Sequence, residues 1–550
     1  MNYPKTFLLL PFLFAFFSET GYAQENTELQ TLTMRILDEQ GNPTAARVRF
    51  TGQDGQYYPP KNHAADFPVT SANVPVSEER DVMLDNNRRF AYVQGAFEIS
   101  LPKEDIHVEV VKGYAYQFVS DTLSLSSGEE TIEIQLEKWF QFPDRTWYSG
   151  DVHVHYINPE SALLEMKAED INVCNILTSD FTVDQHLFRG APEPISAPER
   201  IVYINQEYRE GRLGHINLLN LKRLIQPVKP ERKHQYPLNI TASDEVHAQG
   251  GHVSWAHFAA WPGLEGPLGL VLKKVDAVEL LCTIDPFQEP IFVPDVVPEV
   301  QMNSGLRLWY RLLNCGLQVP ATAGTDKMNN QVTVGANRVF ADVNGDFNYQ
   351  SWIDALNEGR TFISNSPFIF CQVDGKGPGE TVQLAPNQTV QITTEVWSQL
   401  PIDRLEIVAN GVMIAETAMA PGERHAQLEI AFTPEESVWI AARAYQFNMQ
   451  NTRSGVSFTQ RRDAGGGPTQ LNRYFGTLRP ETTFAHTSPT YLLLDEQLIR
   501  SKEDAEYFVK YLENAMKWLD TSGSFPSEEA KEEVLAAFEK GKQTFLELAK

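Results

Sequence analysis

The chain has 550 residues, enough for about three or four domains at roughly 100–200 residues each. Hydrophobic residues make up 42% and charged residues 21%, which excludes a disordered chain and a membrane-embedded bundle. Acidic residues outnumber basic ones 72 to 46, and the net charge of −26 argues against a nucleic-acid partner.

Taken in chain order, the first element is a secretory signal. Lys5 supplies the positive region, Phe7–Phe17 is an apolar run too short to span a bilayer, and Gly21-Tyr22-Ala23 offers a cleavage site. Residues 1–23 are expected to be removed. The mature chain would start at Gln24 without a membrane span and be secreted, periplasmic or extracellular. Export permits disulfides. However, Cys174 ("INVCNIL") and Cys282 ("VELLCTI") lie in apolar runs that read as buried strands, so free thiols are expected there. Cys315 and Cys371 complete the set, and no CxxC is present.

Residues 24–138 read as all-β. "LTMRILDEQGNPTAARVRF" is two strands around a Gly41-Asn42-Pro43 turn, and "IHVEVV" and "TIEIQL" alternate with period two, as in a small sandwich. From 139 to 370, strand-like runs alternate with helical ones: "INVCNILTSD", "IVYINQEY", "GHINLLNL", "GGHVSWAHF", "VDAVELLCTI", the helix "NSGLRLWYRLLNCG", then "VPATAGTD". Such alternation predicts a parallel sheet closed as a barrel, with working groups at the C-terminal ends of strands. Residues 371–492 return to alternating strands and predict a second β-sandwich. Residues 493–550 are helical, with a capping start at Ser501 and a second helix after Ser524-Phe525-Pro526.

The chemistry concentrates in the middle segment. Eight of the 12 histidines fall between 153 and 257. In "GDVHVH", His153 and His155 are two apart, so a strand turns both imidazoles to one side. Neutral imidazole suits a divalent metal, and carboxylates complete a hydrolytic site. Taken alone, such a pair also fits two surface histidines on a strand edge. The ordered set that follows is harder to dismiss: Asp180, Glu207, His215, His257 and Asp326, most of them near strand ends. Lys327 offers an oxyanion contact or a solvated charge. His186 and His252 are candidate substrate contacts, and Arg189 and Arg338 candidate phosphate binders.

The successive motifs "GDVHVH", "LTSDF", "QEY…GHINLL", "GGHVSWAHF" and "AGTDKM" resemble those of the PHP (polymerase and histidinol phosphatase) metallohydrolase superfamily. "VGANRVF", "WIDALNEGRTFISNSPF" and "AHTSPTYLL" bring the likeness closest to its carbaryl-hydrolase-like (CehA/McbA) branch. The segment 24–138 resembles the transthyretin-like domain that accompanies carboxypeptidases. The superfamily resemblance implies a distorted β/α barrel with divalent ions. His153, His155, Glu207 and Asp326 would make one ion site, with Glu207 bridging, and Asp180, His215 and His257 would help hold a further ion. Asp180 or His257, where not a ligand, would shuttle protons. The chain departs from the pattern at Phe181 and Met328, where the superfamily has histidines, and in "YINPES", which lacks a third early histidine. One or two ions (Mn, Fe or Zn) are therefore expected rather than three. The implied activity is metal-dependent hydrolysis of an ester, amide or carbamate bond in a small-molecule substrate. The alternatives are a catalytically degenerate glycan- or protein-binding module and a phosphoesterase.

Overall fold

In a computed structural model of the chain, the described residues are 28–63, 81–84, 88–125, 130–144, 146–179, 184–227, 234–258, 263–282, 304–328, 330, 332–420, 422–446 and 483–550. The expected signal segment, residues 1–23, lies outside them, as do Asp180 and Phe181. The protein is a multidomain α/β structure with several sheets and, among the described residues, seven α-helices.

The N-terminal region contains β1 (Leu29–Leu37), β2 (Ala45–Thr51), β3 (Val82–Leu84), β4 (Arg88–Gln94), β5 (Ala96–Pro102), β6 (Asp105–Val111), β7 (Val119–Ser124) and β8 (Thr131–Gln135). They form two sheets, in the orders β5-β1-β8 and β3-β4-β2-β6-β7. Period-two alternation puts Met34, Ile36, Val48, Phe50, Val108 and Val110 into one shared core.

Next come β9 (Trp147–Val154), α1 (Pro159–Ala168), β10 (Val173–Thr178), β11 (Ile201–Glu210), β12 (Gly214–Leu219), α2 (Ser243–Ala248), β13 (His252–Trp255), α3 (Gly266–Val271), β14 (Ala277–Leu281), α4 (Gly305–Asn314) and β15 (Ala321–Ala323). These strands neighbour one another in chain order. After β15 the chain returns to β9. Lys327 bridges Val154 in parallel, and the His155 N–H donates to the Lys327 carbonyl at 2.9 Å. The upper edge of β9 thus meets the end of the path that β9 begins.

The expected parallel pairing holds for β9–β11 and for β13–β15, but β12 runs antiparallel to both neighbours. Only Gly211–Leu213 separates β11 from β12, which is enough for a hairpin and far too short for a parallel crossover.

The first half of β9, on the side away from β10, pairs with β16 (Arg338–Asp342), which is followed by α5 (Tyr349–Asn357) and β17 (Thr361–Ser364). Then come β18 (Phe368–Val373), β19 (Thr381–Leu384), β20 (Val390–Trp397), β21 (Arg404–Ala409), β22 (Val412–Ala418), β23 (His425–Phe432), β24 (Val438–Gln446), β25 (Thr483–Thr487) and β26 (Thr490–Leu494). Three of these, β18, β20 and β23, form their own sheet. The remainder continue the central sheet, because β25 pairs with the free edge of β17. One C-terminal β layer is therefore hydrogen-bonded into the central sheet, while β18, β20 and β23 make a separate one.

The chain ends in a hairpin of α6 (Lys502–Ser522) and α7 (Glu528–Leu548), capped by Ser501 and Ser527 and joined by stacking of Phe508 on Phe545. Among the described residues no helix is long and apolar enough to cross a membrane. All four cysteines are buried and none is in a disulfide.

Candidate metal centre

Asp151 and His153 on β9 and His155 just past its end alternate along the chain, share one face, and are all buried. Asp151 is an anchor. Its carboxylate accepts from the His153 N–H (3.0 Å), the Thr325 N–H (3.0 Å) and hydroxyl (2.7 Å), and the Gly335 N–H (2.8 Å). Burial outweighs those bonds and pushes its pKa up to about 6. The bonds tie β9 to the loop that carries Asp326.

The two imidazoles meet with Nε2 atoms 3.0 Å apart. His153 Nδ1 faces Glu279 Oε2 at 3.1 Å, and His155 Nδ1 faces the Leu177 carbonyl at 2.8 Å. With a ring proton placed on Nδ1, toward those acceptors, each ring turns its Nε2 lone pair to the point where the two imidazoles meet. Asp326 Oδ1 lies 3.4 and 3.7 Å from them, and the Glu207 carboxylate 3.8 and 3.4 Å. Converging acceptors of this kind are reconciled by a cation. The electrostatics agree: burial alone would lower the proton affinity of His153, but Glu279, Asp326 and Glu207 overcome it and raise its pKa to about 10.

Glu207 also faces the other way. Its Oε1 lies 3.0 Å from His215 Nδ1 and 3.9 Å from His257 Nε2, and those two nitrogens are 3.0 Å apart. Burial opposes its charge, yet Arg209, His215 and His155 hold its pKa well below the ordinary carboxylate range. His257 is held well below the usual histidine range by burial and by His215 and His153. Two donor groups suited to a metal ion result, His153–His155–Asp326 and Glu207–His215–His257, with Glu207 against both. A third group, His153–Glu279–Cys282, lies on the other side of the His153 ring. In the first two groups the donors are carboxylate oxygens and imidazoles, which suit a divalent first-row ion.

Two candidate ligand positions are conformationally unusual. Asp326 (φ 46°) and His257 (φ 34°) occupy the left-handed region, uncommon for non-glycine residues and costing on the order of 1–3 kcal/mol each. Glu279 Oε2 restrains His257 by accepting its N–H at 2.6 Å. Gly324 is needed for closeness, since a Cβ there would lie 2.4 Å from Glu279 Oε1 and 2.7 Å from His153 Cβ. The side chains of Asp326 and Arg209 keep 23% exposure, so the centre opens on their side.

Of the residues singled out from sequence, His153, His155, Glu207, His215, His257 and Asp326 come together, and Asp180 lies outside the described residues. Lys327 does not point at the centre. Its ammonium donates to the Val332 carbonyl at 2.6 Å and pairs with Glu165 at 3.4 Å, leaving it 1% exposed. The expected oxyanion contact has no support in that placement; it is the backbone of Lys327 that serves the site. His252 sits at the far end of β13 from His257, buried against Asn357, and so is no substrate contact. Arg338 is buried over the Tyr114 ring and donates to the Gly335 carbonyl, so it cannot reach a substrate phosphate. His186 and Arg189 are exposed. Met328 packs into an apolar cluster, consistent with a non-ligand at that position.

Sequence reasoning missed Glu279, Asp151 and Arg209. Glu279 had a signal, a single carboxylate inside the apolar run "AVELL", where an unpartnered charge would be costly. Asp151 stands two before His153 and so shares its face. Arg209 stands two after Glu207, with Nη1 3.3 Å from Glu207 Oε2.

No family model matches the chain, and no curated protein does. Among solved structures, PsfC from Pseudomonas syringae PB-5123 is similar with a TM-score of 0.28 and 15% identity, over 38% of this chain and 90% of that one. A superposition that loose carries no argument about fold or activity.

Proposed function

We propose that the chain is an exported metal-dependent hydrolase of the PHP type, of the carbaryl-hydrolase-like branch, with one or two divalent ions and an ester, amide or carbamate substrate. The observation that carries this reading is the convergence of His153 Nε2, His155 Nε2, Asp326 Oδ1 and the Glu207 carboxylate. The return of the strand path to β9 is consistent with a PHP-type barrel. A divalent ion bound there supplies Lewis-acid polarisation of the scissile carbonyl and a water of lowered pKa.

The chain's own residues do the remainder. His153, His155 and Asp326 hold one position and Glu207, His215 and His257 the other, with Glu207 between them. Glu279 orients His153 through Nδ1. His257, kept neutral, can take up a proton at Nε2 when that atom is not a ligand. Arg209, at the open side, can hold a substrate oxygen. A phosphoesterase would want a richer cationic pocket. Lys327 and Arg338 are turned elsewhere, so the carboxyl-type substrate is preferred.

The test is metal content by inductively coupled plasma mass spectrometry on the wild type and on His153→Ala/His155→Ala. At least one equivalent in the wild type, lost in the variant, supports the centre and warrants screening esters, amides, carbamates and phosphoesters. A wild type that stays metal-free after incubation with Mn, Fe and Zn sinks the hydrolase and leaves a binding module.

A further inference from the structure

A buried chain of polar contacts runs from the N-terminal β region to the metal centre. Arg47 on β2 is fully buried, and its Nε lies 2.7 Å from Glu169 Oε1, just past the end of α1. Tyr92 on β4 places its hydroxyl 2.9 Å from the same oxygen and 3.4 Å from Glu165 Oε2. Glu165 also accepts from the Val334 N–H at 2.9 Å, and its Oε1 pairs with Lys327 Nζ at 3.4 Å. Arg47, Tyr92, Glu165, Glu169 and Lys327 are each no more than 1% exposed.

Buried ion pairs are a poor source of stability, since apolar packing of the same volume often does as well or better. Their use here is geometric. Lys327 is clamped at both ends, its ammonium by Glu165 and its carbonyl by the His155 N–H. The preceding residue is Asp326, a candidate ligand in the left-handed conformation, which is uncommon outside glycine. Asp326 Oδ1 lies 3.4 Å from His153 Nε2, one residue from that clamp.

We propose that the N-terminal β region is a working part of the metal centre. Through Arg47 and Tyr92 it fixes the two glutamates of the α1 segment, and through Glu165 and Lys327 it sets the position of Asp326. Tyr92, Glu165 and Lys327 are positioning residues. The inference rests on the reading of this centre as a metal site.

The test titrates Co(II) into the intact chain and reads both its dissociation constant and its visible d–d spectrum. Two variants are compared with the wild type. Glu165→Met/Lys327→Met removes the pair without stranding a charge, and Tyr92→Phe removes one hydroxyl. The double variant should weaken Co(II) binding about tenfold, as loss of partners behind a ligand typically does, and alter the spectrum. Tyr92→Phe should do the same to a smaller degree. Wild-type affinity and spectrum in a folded double variant would overturn the proposal, even with a lowered Tm, because a purely structural role moves Tm alone. Should the double variant fail to fold, Tyr92→Phe decides by the same two readouts. A wild type that binds no Co(II) would instead bring down the metal reading, and this inference with it.

Discussion

Glu279 touches both donor groups at once: its Oε2 lies 3.1 Å from His153 Nδ1 and accepts the His257 N–H. A carboxylate on the far nitrogen of a ligating imidazole fixes the ring and raises its basicity, and its loss typically costs about 10–100-fold in metal affinity. Glu279→Gln keeps one acceptor oxygen of the same reach but no charge. The expected result is a folded protein whose affinity for Mn or Zn falls about tenfold by isothermal titration calorimetry. An unchanged affinity would show that Glu279 is a packing residue only. At this scale the sequence was legible where periodicity fixes direction. His153 and His155 must face the same way on any strand, and they do. It was illegible where direction depends on a turn. Lys327 follows a candidate ligand immediately, yet with a left-handed backbone at Asp326 its side chain lies away, at Glu165.

The element that organises the site is β9, which carries His153, leads directly into His155, and supports α5 with its first half. Gly150 allows that support. A Cβ there would lie 2.2 Å from Trp352 Cζ2, and the Trp352 indole N–H donates to the Tyr148 carbonyl at 3.2 Å. Gly150→Ala should therefore destabilise the fold by about 1–3 kcal/mol through overpacking, read as a lower Tm. Adding Trp352→Leu should recover part of the loss. A wild-type Tm in the single variant would mean that the helix shifts freely on the sheet. Individual strands could be read from alternation, but their partners could not. Only the brevity of Gly211–Leu213 reveals that β12 reverses direction, and nothing local to Thr483–Thr487 announces that it extends the central sheet through β17. Pairing of that kind is decided by contacts distant in sequence.

Across the whole molecule, acidic charge is in excess, and one buried carboxylate responds to it in an unusual way. Glu265 is buried at the start of α3, where its two oxygens accept from the Asn239 and Ile240 N–H groups at 3.0 Å. Burial outweighs those donors and, with Glu210 nearby, pushes its pKa up to about 8. In the unfolded chain the group titrates near about 4.3. The folded form therefore binds a proton that the unfolded form has already released between those values. The stabilisation from Glu265 is complete below about pH 4.3 and is lost as pH rises through about 8. General self-repulsion of a chain of net charge −26 also grows with pH, so the wild-type curve alone is ambiguous. Glu265→Gln resolves it, because the amide cannot titrate while the background charge is otherwise shared. Urea melts of both proteins at pH 5, 7 and 9 should show the variant gaining on the wild type as pH rises, whatever constant offset the amide introduces. Parallel pH dependences would mean that Glu265 is ionised in the fold, held by its two backbone donors against the cost of burial.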